Sequence, residues 1–167
     1  MRFLICLLVF LAVSGPITIT GADLKSSESG EEITPDVTLV GAEFGMVKLD
    51  KDGNPQIIPA TVIPLVKGQA YGWRLRFRTE RKILALREEL ALPAIPGEWT
   101  SKGGKPVSKV SPDLKTATKE VMALLKDGML QNVWSVIDGD PSGDYEIRLT
   151  IEGQLVRTFK FKVEPPK

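Results

Sequence analysis

Residues Ala70–Arg78 read AYGWRLRFR, and this stretch decides the fold class. Trp73, Leu75 and Phe77 alternate with Arg74, Arg76 and Arg78. Successive side chains of a strand point to opposite faces, so this period of two gives one apolar face and one cationic face. One face belongs to a core and the other to solvent.

The C-terminal end repeats the pattern. Tyr145–Ile151 (YEIRLTI) and Leu155–Val163 (LVRTFKFKV) alternate around Glu152-Gly153-Gln154, which predicts a hairpin closed by a short turn containing glycine. Towards the N-terminus, Val37–Leu49 (VTLVGAEFGMVKL) is β-branched and aromatic with internal glycines. It reads as a strand bulged at Gly41 or Gly45. Asp50–Pro55 is a turn in which Asp52-Gly53 supplies a positive-φ position. Thr61–Val66 is a further extended piece that Pro64 confines to a sheet edge.

Ile83–Leu92 (ILALREELAL) has helical propensity, but Pro93 and Pro96 stop it and its neighbours are strands. A strand is expected there. Glu98–Ser111 reads as a loop. Thr116–Leu125 and Leu130–Ile137 flank Lys126-Asp127-Gly128, and a second hairpin is expected, with a helical turn near Val121 as the alternative. Evenly spaced short strands without long amphipathic helices predict an all-β sandwich or barrel. Its core is expected around Trp73, Leu75, Phe77, Trp134 and Val136. From the closing hairpin it takes Tyr145, Ile147, Leu149, Phe159, Phe161 and Val163.

The first 22 residues stand apart. Arg2 is a positive n-region, Phe3–Val13 (FLICLLVFLAV) is uninterrupted apolar sequence, and Ser14–Ala22 is small and polar. This is the order of a secretory signal peptide, and the apolar run falls short of the roughly 20 residues that a membrane span needs. Cleavage is expected after Thr20-Gly21-Ala22, with Ala12-Val13-Ser14 as the alternative. Asp23–Asp36 (DLKSSESGEEITPD) reads as a flexible polar linker, leaving residues 37–167 as one folded domain. A secreted or periplasmic location follows.

Export sharpens the composition. The chain has no histidine, and its single cysteine, Cys6, lies in the leader. The mature domain therefore lacks the usual general base, the usual thiol nucleophile and any disulfide. Removing Arg2 with the leader leaves 21 basic against 21 acidic residues, and this zero balance argues against a nucleic-acid partner.

Ile63–Phe77 (IPLVKGQAYGWRLRF), Leu92-Pro93 and Trp134–Val163 (WSVIDGDPSGDYEIRLTIEGQLVRTFKFKV) resemble a family of short exported bacterial domains of unknown function. Gly68, Tyr71, Gly72, Gly143, Tyr145, Gly153, Leu155, Phe161 and Val163 occupy the matching positions. The resemblance implies an immunoglobulin-like antiparallel β-sandwich, and it brings no catalytic residues.

Three constellations could carry chemistry. Asp138, Asp140 and Asp144, with Ser142 and Gly143, resemble the opening half of a calcium loop. Leu149 stands where the closing Glu would be, and Pro141 interrupts the run, so a plain turn rich in Asp and Gly is the competing reading. Asp50, Asp52 and Asn54 form a weaker copy. Arg74, Arg76 and Arg78, with Arg81, Lys82 and Arg87 nearby, could meet an anionic glycan or lipid head group. Alternatively, Glu80, Glu88 and Glu89 of the same hairpin could neutralise them across strands.

For catalysis, Glu98 beside Trp99 and the acids of the Asp138–Asp144 loop could form a glycosidase pair. Ser101-Lys102 and Ser108-Lys109 are adjacent pairs whose side chains diverge in a strand. The expectation is a non-catalytic module that binds a protein partner, with the anion-binding face and a calcium-stabilised loop as alternatives.

Overall fold

The computed structural model describes residues 30–99 and 109–166. Among them lie eleven strands: β1 (Glu31–Thr34), β2 (Val37–Leu49), β3 (Pro55–Pro59), β4 (Val62–Pro64), β5 (Ala70–Arg78), β6 (Ile83–Ala91), β7 (Lys109–Val110), β8 (Thr116–Leu124), β9 (Met129–Ser135), β10 (Gly143–Ile151) and β11 (Gln154–Glu164). One sheet has the order β1-β2-β5-β9, with β3 also on β2. The facing sheet has the order β4-β11-β10-β6-β8-β7. Neighbours are antiparallel except for β4, which runs parallel to β11. This is the immunoglobulin-like sandwich that the resemblance implied.

The period of two in β5 is realised as read. Trp73, Leu75 and Phe77 are buried between the sheets while Arg76 and Arg78 are exposed outside. The closing hairpin is present, with Glu152 and Gly153 at successive positive φ (51° and 82°), the signature of a type I′ turn. β2 slips register between Leu39 and Gly41, placing the bulge at the first of the two expected glycines. β4 is an edge strand ending at Pro64.

Three expectations are corrected. The segment taken as linker contains β1: Ile33 is buried in the core, and the Ile33 carbonyl accepts from Gln154 Nε2 at 2.6 Å. One apolar side chain in a polar segment suffices to dock it, so the fold begins before Val37. Asp23–Ser29 lie outside the described residues.

The second correction concerns β8 and β9, which are not a hairpin. They share only the tight turn at Asp127 and Gly128 (φ 52° and 71°). β8 pairs with β6, and β9 with β5 in the other sheet. Buried Leu125 and Leu130 bracket the turn, so the chain crosses over the end of the core instead of folding back on itself. The third correction is of the same kind. β5 and β6 are consecutive but lie in opposite sheets, so Glu88 and Glu89 cannot neutralise the arginines of β5 across a ladder.

Glu88 instead points inward, with 1% of its surface exposed. Its Oε1 accepts from Trp73 Nε1 at 2.7 Å and Trp134 Nε1 at 2.8 Å, and its Oε2 accepts from Asn132 Nδ2 at 2.8 Å. The donors sit on β5 and β9 and the acceptor on β6, so the carboxylate fastens one sheet to the other across the core. A buried carboxylate is tolerated when both of its oxygens accept hydrogen bonds, as they do here.

Two motif glycines have steric causes. A Cβ on Gly72 would lie 2.3 Å from the Asn132 carbonyl oxygen, and one on Gly143 (φ 134°) would lie 2.9 Å from the Pro93 ring. Tyr145 donates its hydroxyl to the Pro141 carbonyl at 2.8 Å, the back-bond of a tyrosine corner at the start of the penultimate strand.

Glu88→Gln keeps the volume but turns an amide N–H₂ towards an indole or amide donor. The variant should lose about 3 kcal/mol, the usual cost of stranding buried partners of a charged group. Urea unfolding followed by tryptophan fluorescence would show the midpoint falling with little change in slope. An unchanged midpoint would refute the clasp.

Candidate functional site

β6 carries Leu84, Leu86, Glu88 and Leu90 inward, so Ile83, Ala85 and Arg87 face outward. Pairing with β8 brings Leu124 opposite Ile83, Met122 opposite Ala85 and Glu120 opposite Arg87. Directly opposed residues share a face. The outer face of this sheet therefore bears an apolar patch of Ile83 (45% exposed), Met122 (67%) and Leu124 (70%). Leu155 (59% exposed), paired with Thr150, extends it across Arg87. Between them lies a shallow groove of about 380 Å³ lined by Ala85, Arg87, Met122, Thr150 and Gly153.

The same patch borders the side of β8 along which, past β7, no described strand pairs. At the two ends of the β6–β8 ladder, Leu125 donates its N–H to Lys82 and Leu92 donates to Lys115. Both pairs belong to the register that joins Ile83 with Leu124. Hydrogen-bonded and non-bonded pairs alternate in an antiparallel ladder, so odd-numbered residues of β8 bond to β6. The backbone groups of Glu120, Met122 and Leu124 face away. β7 reaches only Ala117 and Thr118. Beyond it, no strand among the described residues pairs with β8. The upper margin is charged: Arg87 Nη1 and Lys109 Nζ reach Glu120 at 3.3 and 2.8 Å.

The acids expected to bind calcium do not converge. Asp138 pairs with Lys67. Asp140 Oδ2 accepts from the Ile137 N–H at 2.9 Å, and burial raises its carboxyl above the usual range against the lowering effect of that bond. Asp144 stands on the outer sheet face opposite Lys162. It lines a separate groove of about 540 Å³ with Glu146 and Lys160. Among the described residues no group of three acidic side chains is placed to hold a metal ion. In the weaker copy, Asp50 Oδ1 accepts from the amides of Asn54 and Asp52 at 2.8 and 2.9 Å. The Asn54 amide first, then the Gln56 side chain and the Asp52 amide, hold its carboxyl below the usual range against desolvation.

The arginine stripe is divided. Arg74 donates to Gln131 Oε1 at 3.1 Å and to the Pro55 carbonyl at 2.8 Å, and lies 3.6 Å from Glu43. Arg76 is exposed between Gly41 and Met129, and Arg78 is exposed opposite Thr38. They do not form three equivalent guanidinium forks. Arg81 pairs with Glu152, and Arg87 with Glu89 and Glu120.

Glu98 and Trp99 border a cleft of only about 20 Å³ with Tyr71, Trp134 and Asp140, room for one water and not for a sugar ring. Trp99 Nε1 is bonded to the Leu114 carbonyl at 2.9 Å. Ser101, Lys102 and Ser108 lie outside the described residues, and Lys109 is the β7 residue bound to Glu120.

With this geometry in place, sequence comparison assigns the family. Residues 42–164 match the profile of the PM0630 beta sandwich domain. The chain belongs to that family. The PM0630 match takes in β3 to β11 and most of β2, and hence the patch, the β8 edge and Glu88. An immunoglobulin-like protein from Pseudomonas aeruginosa superposes with a TM-score of 0.54 at 16% identity, covering 80% of this chain and 100% of that one. That likeness concerns the fold alone. An alkylpurine DNA glycosylase from Pseudomonas fluorescens bound to abasic-site DNA gives a TM-score of 0.38 at 8% identity. It covers 74% of this chain and 30% of that one, and carries no argument. No curated protein matches significantly.

The sequence signal for the patch was available in Met122, Leu124 and Ile83, three large apolar residues on the parity opposite to the core. It becomes readable only once β6 and β8 are known to be neighbours. For the acidic loop, melting temperatures in millimolar calcium and in chelator should coincide, since Asp138 and Asp140 are already partnered. A calcium-dependent rise would show that the loop rearranges to bind.

Proposed function

We propose that this domain is an exported, non-catalytic protein-interaction module whose partner adds an extended strand along β8. One observation carries the reading: the outward backbone groups of Glu120, Met122 and Leu124 adjoin the exposed side chains of Met122, Leu124 and Ile83. Strand addition takes affinity from main-chain hydrogen bonds and specificity from alternate side chains, and this surface supplies both.

The non-catalytic reading rests on composition and placement. Histidine is absent, the single cysteine is in the leader, and Asp50, Asp138 and Asp140 of the turns are engaged by backbone amides or lysine. Export rests on the order of Arg2, the apolar run and the small residues ending at Ala22. Expressed in full, the chain should leave the cytoplasm and begin at Asp23 on N-terminal sequencing. Retention of Met1 would overturn that assignment.

The surface is tested with a photo-crosslinking amino acid at position 122 or, as control, at Thr158. Thr158 is exposed on the same face but far from the edge. Discrete adducts should form from position 122 alone, and Leu124→Lys should abolish them. Equal adducts from both positions, or none from either, would refute the surface.

A further inference from the structure

We draw no further inference here: the strongest candidate, the apolar patch of Ile83, Met122, Leu124 and Leu155 on the outer face of the sheet that holds β6 and β8, belongs to the surface already proposed, and nothing in the structure shows what covers it.

Discussion

The carboxylate of Glu88 is the constraint around which the sandwich is arranged. Desolvating an ionised side chain costs several kcal/mol unless its lone pairs are satisfied. Here that requires Trp73 on β5 and both Asn132 and Trp134 on β9 to stand at fixed places opposite β6. Apolar contacts between sheets tolerate small slides, whereas three N–H donors converging on two oxygens do not. The described residues contain no cysteine, so no disulfide among them joins the sheets, and this polar clasp fastens one to the other. Among the described residues no buried side-chain nitrogen or oxygen lacks a partner, so every donor and acceptor of the clasp is engaged.

Fixing Glu88 inward also fixes what faces outward. A one-residue slip of a strand exchanges its two faces, so the parity that buries Leu84, Leu86, Glu88 and Leu90 places Ile83, Ala85 and Arg87 on the surface. The register with β8 then transfers the same choice to Met122 and Leu124. The exposed patch and the interior clasp are two sides of one strand, and neither can move without the other.

The strands were legible where local pattern and burial coincide. β5, β10 and β11 alternate cleanly, and their turns carry the glycines that positive φ requires. Sheet membership was not legible at Lys126-Asp127-Gly128. A type I′ turn is the strongest local signal for a hairpin, yet here it serves a crossing between sheets because Leu125 and Leu130 on either side both insert into the core. The same uncertainty hid the clasp. Glu88 beside Arg87 and Glu89 reads as a solvated face, and only the three partners on the other sheet, 15 to 46 residues away in sequence, reveal it as interior. The parity of the arginines was readable, but the capture of Arg74 by Pro55 and Gln131 needed β3 and β9 to be placed beside it. The acids of the Asp138–Asp144 loop had the right types and spacing for a ligand, and separate partners disperse them.

Sheet edges invite pairing with other chains, and proteins blunt them with proline, lysine, bulges or short strands. Most edges of this domain follow that rule. β1 has four residues, β3 is bounded by Pro55 and Pro59, and β4 has three residues ending at Pro64. β9 carries Gln131 tied to Arg74 and an exposed Ser135. The stretch of β8 beyond β7 departs from it. From Glu120 to Leu124 it has no proline, its single charge is neutralised by Arg87 and Lys109, and its remaining side chains are apolar. An edge left apolar while the others are blunted is the contrast on which the proposed strand-addition reading rests.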